Sequence, residues 1–593
     1  MSRRSGNALA DNVTAKIYDR ELMSRFLGYA FRFKRQLFFV LTLLPILSAV
    51  QLLQPYLVKI AIDSHIVPKV VEGLDVIAYA FLGLLALEFS LRYWQNFSIQ
   101  RLGQTIMKAI RTDIMTQMMR LSTSFYERNP VGKLTNRATN DVEALSEMVS
   151  AGIVAIISDV VFLLGIIAAM FYMSPKLALV TLVSIPIIVG GTILIRKKIR
   201  GFYRTAREKQ SSMSAYMGES IGGMKEIQLY MNEAKNHRGF NELNRDYLKS
   251  TLSSNFFDAM LYSFVEVTGV IVVAVVIWFG SYGTLGEGIT LGILIAFIEY
   301  INKMFLPIRD LSAKFAVMQS AMAAMEKIFN LIDEKPDLKK YEIELKISEI
   351  KGGIEFKDVS FAYKEDDYIL KNVSFGIKPG EKIAIVGHTG AGKSSLIKLI
   401  SRLYDAQKGE ILIDGENIKH LPISILRKSV GVVLQDVHLF SGTIAENITL
   451  WDKDFTDKNV VEALKMVNAY NFVEKMPDGI HTKLEERGSN LSVGQRQLLS
   501  FARVIVRKPP VIIMDEATSS IDNDSERSLQ IGTEHLLENC TAIIIAHRLS
   551  TIRTVDRIMV MHHGEIMEIG TNDELLAKGG LYAKLYKLQF GEE

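Results

Sequence analysis

The sequence predicts two joined architectures: an α-helical membrane domain of six transmembrane helices with long cytoplasmic extensions, followed by an α/β phosphate-loop domain. Three observations carry this. Apolar runs of about 20 residues, the length that crosses a bilayer core, occur only before residue 310 or so. Two long, polar, helix-prone stretches lie between them. Beyond residue 350 or so, short β-rich runs alternate with helical ones, and one of those runs opens into a glycine-rich loop.

Composition agrees. Of 593 residues, 49% are hydrophobic and mean hydropathy is +0.18, high for a soluble chain. Net charge is +4, from 69 basic and 65 acidic residues. The basic residues are not gathered into one patch, which argues against a nucleic-acid binder. Cys540 is the single cysteine, so no intrachain disulfide can form. It sits in an apolar run, is expected to be a small core residue, and fits a reducing cytosolic face.

Residues 1–35 form a charged N-terminal segment without the early apolar core of a signal peptide. Within it, Tyr18 to Lys34 alternate charged residues with Leu22, Phe26, Leu27, Ala30 and Phe31, which predicts an amphipathic helix on the inner membrane surface. The membrane domain is expected over 36–320, with spans at about 36–61, 74–94, 151–173, 177–196, 258–282 and 289–309. Lys and Arg are frequent in the N-terminal segment (Arg20, Arg25, Arg32, Lys34, Arg35) and in the stretches 95–150 and 197–257 (Arg101, Lys108, Arg111, Arg120, Lys198, Arg204). The turn 281–290, SYGTLGEGIT, has none. The positive-inside rule therefore places the N-terminus, both long stretches and the C-terminal domain in the cytoplasm. Each long stretch is expected to continue the membrane helices and to turn at a tip. One tip falls in FYERNPVGKL, at Pro130 and Gly132; the other falls in MGESIGGMKEIQLY, at Gly222 and Gly223. A linker is expected over 321–350 and the phosphate-loop domain over 351–593.

In that domain, Lys382–Val386 read as a buried strand. The run Gly387-His388-Thr389-Gly390-Ala391-Gly392-Lys393-Ser394 follows, and then a helical segment beginning at Ser395. This is GxxxxGK[ST] between strand and helix, the context that lets backbone N–H groups wrap phosphates. The helix N-terminus adds positive potential. Lys393 is expected to reach the β- and γ-phosphates, and Ser394 to offer its hydroxyl to Mg²⁺; Gly387 to Ser394 together with Ser395 are the candidate ATP-binding residues. A second buried strand, Val511 to Glu516, ends in two carboxylates. Asp515 suits a Mg²⁺ role, and Glu516 is the candidate general base that polarises the attacking water.

Leu491-Ser492-Val493-Gly494-Gln495 opens a helix rich in Arg and Gln, and it resembles the signature of ATP-binding-cassette transporters, usually LSGGQ. Other pieces follow that family's order. Tyr363 stands where the family stacks an aromatic on adenine, and Gln435 matches its Q-loop, a catalytic and Mg²⁺ position. Ser519 to Asp522, with Ser520 and Asp522 as candidate contacts, matches its D-loop, and His547 matches its switch histidine. FYERNPVGKLTNRATNDVE resembles the first cytoplasmic coupling region of the exporter class, and EERGSN (Glu485 to Asn490) the loop that reads the membrane domain. The resemblance covers nearly the whole chain. It implies a half-transporter that works as a dimer in the plasma membrane, on this reading a bacterial inner membrane. Each ATP would lie between the phosphate loop of one subunit and the signature of the other, and ATP would favour one membrane conformation by differential affinity. Val493 departs from the family's glycine. Some chains of the class with an altered signature pair with a different partner, so homodimer and heterodimer both stand at this point.

Ionisable residues inside spans are costly and default to functional candidates. Here they are Glu88, Arg92, Asp159, Glu266 and Glu299. Glu88 and Arg92 are spaced to pair with each other. Asp159 and Glu266 lack a local partner, and the expectation is that they line a cargo cavity favouring cationic or amphipathic molecules. An interhelical hydrogen bond, or a water-facing place near a helix end, is the bland alternative. Resemblance favours export of drug-like amphiphiles or lipids. An ATP-gated channel or regulator and a peptide exporter share the architecture, and the lack of a peptidase-like region ahead of the first span disfavours the latter.

Overall fold

The computed structural model describes residues 19–284, 289–336, 350–364, 367–515, 523–538, 540–546 and 552–590. The chain divides into two units. One holds the described residues up to Arg120 together with Asn129–Glu334; the other holds Leu121–Arg128 and the described residues from Lys335 onward.

The first unit is helical. Helix Arg20–Arg32 is capped by Asp19, whose carboxylate accepts from the Glu21 and Leu22 amides at 2.9 and 3.4 Å. Its apolar face, Met23, Phe26 and Ala30, is buried. Arg25 grips Asp333 with two hydrogen bonds of 2.6 and 2.8 Å and lies over the Phe329 ring, while Tyr29 donates to Asp113 at 2.7 Å. Part of the apolar face packs on neighbouring helices, while Leu27 and Phe31 stay exposed.

Among the described residues, five helices are long and apolar enough to cross a membrane: Lys34–Ile66, Leu74–Met118, Val131–Met173, Pro175–Ile195 and Glu233–Ser281. The sixth expected span forms the first half of helix Leu291–Ile332. Helices of 45, 52 and 42 residues (Leu74–Met118, Glu233–Thr284 and Leu291–Ile332) measure roughly 63–78 Å at about 1.5 Å per residue, against a bilayer core of about 30 Å. The long extensions expected from sequence follow directly. Between the third and fourth spans the turn is Ser174 alone, in extended conformation ahead of Pro175, whose fixed φ suits the first helical position. At the first tip, short helices Thr123–Arg128 and Val131–Asn136 flank Pro130; Gly132 lies inside the second and does not break it. At the other tip, helix Ser184–Gly222 stops at Gly223 and a short helix, Met224–Leu229, follows.

Several charged groups in the spans find partners, most of them between helices. Glu88 accepts from Gln51 (3.0 Å), Gln54 (2.5 Å) and Arg92 (2.6 Å). Lys303 donates to the Gln51 carbonyl and the Gln54 amide oxygen, both at 3.2 Å. Asp159, without a partner on its own helix, pairs with Lys314 of helix Leu291–Ile332. This pair is the interhelical contact that stood as the alternative for Asp159.

The second unit is α/β. Its strands are β1 (Ile354–Ala362), β2 (Tyr368–Ile377), β3 (Lys382–Val386), β4 (Lys408–Ile413), β5 (Glu416–Asn417) and β6 (Val430–Val433). The remainder are β7 (Gly442–Thr443), β8 (Lys483–Leu484), β9 (Val511–Asp515), β10 (Thr541–Ile545), β11 (Arg557–His562) and β12 (Glu565–Gly570). Among the described residues the main sheet runs β12-β11-β3-β10-β9-β6, parallel from β11 to β6. An antiparallel sheet, β2-β1-β4-β5, and the pair β7-β8 complete the set. β9 and β10 are buried almost end to end, as parallel strands covered on both faces require. Cys540 is buried beside them, and burial pushes its thiol up to about 11.

Arg402 is the largest fully buried side chain, at 1% exposure. It donates to Asp405 at 3.2 Å and to the Ile418 and Leu421 carbonyls at 3.2 and 3.3 Å. Arg402→Ala strands these acceptors, at a cost on the order of 3 kcal/mol. The expected outcome is a clear fall in the thermal unfolding temperature of the purified chain; an unchanged transition would show that the acceptors are satisfied without it.

Candidate nucleotide site

The parallel register brings the chemistry together. Val386, Asp515, Ile545 and Val433 end four neighbouring parallel strands, with Ile385 opposite Ile545, Ile545 opposite Asp515, and Val433 opposite Met514. In open α/β sheets, ligands bind outside the carboxyl ends of the strands, and the loops that leave these ends carry the residues singled out by sequence. β3 leads into the phosphate loop, β6 into Gln435, and β9 ends on Asp515. β10 leads, through Ala546, toward His547.

The phosphate loop runs from Gly387 into helix Lys393–Ile400. Gly387 permits close approach: a Cβ there would lie 2.3 Å from the Met561 carbonyl oxygen. Gly390 has φ +85° and opens onto free space, with nothing within 4 Å of where its Cβ would be. His388, Thr389 and Gly390 are exposed, whereas Ala391 and Gly392 are buried against the domain. Lys393 is 8% exposed, and its ammonium donates to the carbonyls of Gly387 and, at 3.1 Å, His388. Burial lowers its pKa, and the Asp515 charge opposes the shift.

Of the two serines after Lys393, Ser394 is exposed and Ser395 buried. The Ser395 hydroxyl is hydrogen-bonded to that of Tyr363 at 3.1 Å. Tyr363 is 39% exposed at the end of β1, edge-on to Phe361 and Tyr404. Gln435 is exposed just beyond β6. Ser394, Asp515 and Gln435 supply a hydroxyl, a carboxylate and an amide, a hard-oxygen set that fits Mg²⁺, an ion that takes few protein ligands besides phosphate. Glu516, Ser519 to Asp522 and His547 lie outside the described residues.

The signature segment is built on a cap. The Ser492 hydroxyl accepts from the Gln495 amide at 3.2 Å, and the Gln495 side chain accepts from the Ser492 amide at 3.0 Å, a capping box on helix Val493–Ile505. Leu491 and Gly494 are buried; Ser492 is exposed and Val493 is 51% exposed. Val493 thus sits on the first turn without filling the core or breaking the cap.

Sequence reasoning missed Lys398 and Tyr404, which pack on Tyr363, and gave Glu127 no individual role. Lys398 donates to Glu127 at 2.9 Å. The signal was weak: Glu127 lies inside the quoted FYERNPVGKL, but nothing local points to a lysine far along the chain.

Comparisons with known proteins extend this geometry. Residues 37–308 match the model of the ABC transporter transmembrane region, and residues 370–519 that of the ABC transporter domain. An uncharacterized ABC transporter ATP-binding protein of Bacillus subtilis (strain 168), YknV, is 37% identical over 98% of this chain and 96% of its own. An ATP-dependent lipid A-core flippase of Syntrophus aciditrophicus (strain SB) is 32% identical over 91% of this chain and 89% of its own. The structure of a bacterial Atm1-family ABC exporter with ATP bound superposes with a TM-score of 0.78 at 26% identity, covering 94% of this chain and 99% of that one. The chain therefore belongs to the ABC transporter family, as an exporter-type half-transporter whose membrane domain is fused ahead of an ATPase domain and whose ATP hydrolysis is coupled to transport.

Proposed function

We propose that two copies of this chain form a homodimer that exports amphipathic small molecules or lipids from the inner leaflet of a bacterial plasma membrane, with the N-terminus and the ATPase domain in the cytoplasm. The observation that carries the chemistry is the convergence of Lys393, Ser394, Gln435 and Asp515 at neighbouring parallel strand ends. Orientation rests on the distribution of Lys and Arg. Two of the three proteins named above are a lipid A-core flippase and an ABC exporter; the first supports lipid as the cargo class and the second supports export.

In this reading the loop amides and Lys393 hold the β- and γ-phosphates, and Tyr363 stacks on adenine. Ser394, Asp515 and Gln435 hold Mg²⁺, which would offset phosphate charge when bound. Glu516 takes the proton of the attacking water, and Gln435 and His547 orient that water and the γ-phosphate. Ser492 and the N-terminus of helix Val493–Ile505 meet the γ-phosphate bound to the other subunit, with Ser520 and Asp522 crossing the same interface. All catalytic residue types stand in one chain, and the Ser492 cap is complete despite Val493, which supports self-sufficiency.

Glu266 is the candidate cargo contact. Unlike Asp159, it has no hydrogen bond or ion pair among the described residues, and it lines a cavity of about 210 Å³ with Tyr262, Asn302 and Phe305. That is below the usual drug-site range of about 300–1,000 Å³, room for a cationic head rather than a whole amphiphile.

Three measurements bear on this. The chain expressed alone and reconstituted in lipid is expected to hydrolyse ATP, with Glu516→Gln lowering turnover by about a hundredfold or more; no turnover from the folded wild-type chain would point to a different partner, and full turnover in the mutant would remove Glu516 as base. Val493→Gly is expected to change turnover by less than about threefold, because the cap is already intact; a much larger gain would mean the signature is impaired and looks to a partner for a better one. Glu266→Gln is expected to weaken stimulation by cationic amphiphiles while sparing neutral ones, and equal responses to both would rule out a charge-selective role.

A further inference from the structure

A cluster outside the catalytic set converges on Tyr363. Lys398, on the helix that begins at Lys393, holds its ammonium 5.0 Å from the Tyr363 ring centre and 5.7 Å from that of Tyr404. Tyr404 and Phe361 meet Tyr363 edge-on, with centroids 5.2 and 4.8 Å away, and the Tyr363 hydroxyl is bonded to Ser395. The Lys398 ammonium donates to one oxygen of Glu127 at 2.9 Å, and the Tyr404 hydroxyl donates to the other. Glu127 belongs to Thr123–Arg128, the short helix that groups with the ATPase unit although it lies between two membrane-spanning helices in sequence.

The charges reinforce this arrangement. Burial would raise the Glu127 pKa, but hydrogen bonds from Tyr404 and Lys398 outweigh it and hold the carboxyl below its usual range. Burial would lower the Lys398 pKa, and Glu127 more than offsets it. The cation is thus held charged against the ring by an anion from the inserted helix.

We propose that Lys398 is a positioning residue for the nucleotide base: anchored by Glu127, it covers one face of Tyr363 and leaves the opposite face as the stacking surface, so that segment Thr123–Arg128 sets nucleotide affinity. This rests on the reading of Tyr363 as the adenine platform. An aromatic face attracts one cation, and a ring pinned by two edge-on neighbours and a hydroxyl bond cannot rotate to offer its other face elsewhere. A base that stacks gains from a ring already held in place, because less ordering remains to be done on binding. The triphosphate, held by the loop and Lys393, does not sense the ring directly, so the effect belongs to the base.

The test compares KM and kcat for ATP and for UTP, whose smaller base stacks more weakly, using the full chain in lipid. Lys398→Met is expected to raise KM for ATP by about two- to fivefold, the size of one exposed cation–π contact, to leave kcat in place, and to narrow the preference for ATP over UTP. Glu127→Gln shifts the same quantities in the same direction, and Lys398→Arg, which keeps the cation, restores them. Tyr363→Ala separates the two layers of the argument. If it raises KM for ATP while Lys398→Met and Glu127→Gln do not, the positioning role is overturned and the platform stands. If Tyr363→Ala leaves KM for ATP unchanged, the platform itself is wrong. Equal rises for ATP and UTP, or a fall in kcat that Lys398→Arg does not rescue, would assign Lys398 to packing alone and overturn the proposal.

Discussion

The ATPase chemistry depends on a row of parallel strands that must be buried on both faces. β3, β10, β9 and β6 are apolar nearly throughout, and strands of that kind are stable only with helices above and below. Their polar residues are consequently pushed to the strand ends. Parallel pairing puts all the carboxyl ends on one edge. Lys393 and Asp515 come close enough to sense each other's charge for that reason, and the glycines at 387 and 390 matter because the loop leaving β3 has to hug Met561 on one side and stay open on the other.

A second constraint governs the membrane unit. No water is available in a bilayer core to satisfy a polar group, so each ionisable side chain must be paired, face a cavity or reach an interface. Glu88 is the anchor of a network that joins three helices through Gln51, Gln54, Arg92 and Lys303, and Asp159 is matched by Lys314. A satisfied network of this kind fixes helix register more than it adds stability. Glu266 is the contrast that gives it interest: a carboxylate on a span, on the wall of a cavity, outside these pairings.

The phosphate loop was legible because its residues are contiguous and its flanking strand and helix can be read from the same stretch of chain. Five apolar helices were legible because length and apolarity are local properties, and the sixth expected run opens helix Leu291–Ile332, which continues past it without a break. What escaped is non-local. Asp159 seemed unpartnered because Lys314 lies 155 residues away, and Glu127 and Lys398 are 271 residues apart. Side-chain spacing on one helix reveals an i, i+4 pair such as Glu88 and Arg92; it carries no information about partners brought in by tertiary packing. Ser395 is a further non-local case: a motif neighbour whose hydroxyl meets that of Tyr363, 32 residues away along the chain.

One eight-residue helix, Lys393–Ile400, is where these threads meet. Its first residue faces the phosphate loop and its sixth, Lys398, lies about 7.5 Å along the axis on a different face. A rigid helix this short cannot shift at one end without moving the other. Glu127 therefore holds not only a lysine but the far part of the helix that begins at the glycine-rich loop, and it does so from a short helix whose chain neighbours on both sides belong to the membrane unit. A short helix tied by polar contacts near both ends is held as one piece. Here the ties are named: backbone carbonyls of the loop on Lys393, and a carboxylate from the inserted helix on Lys398.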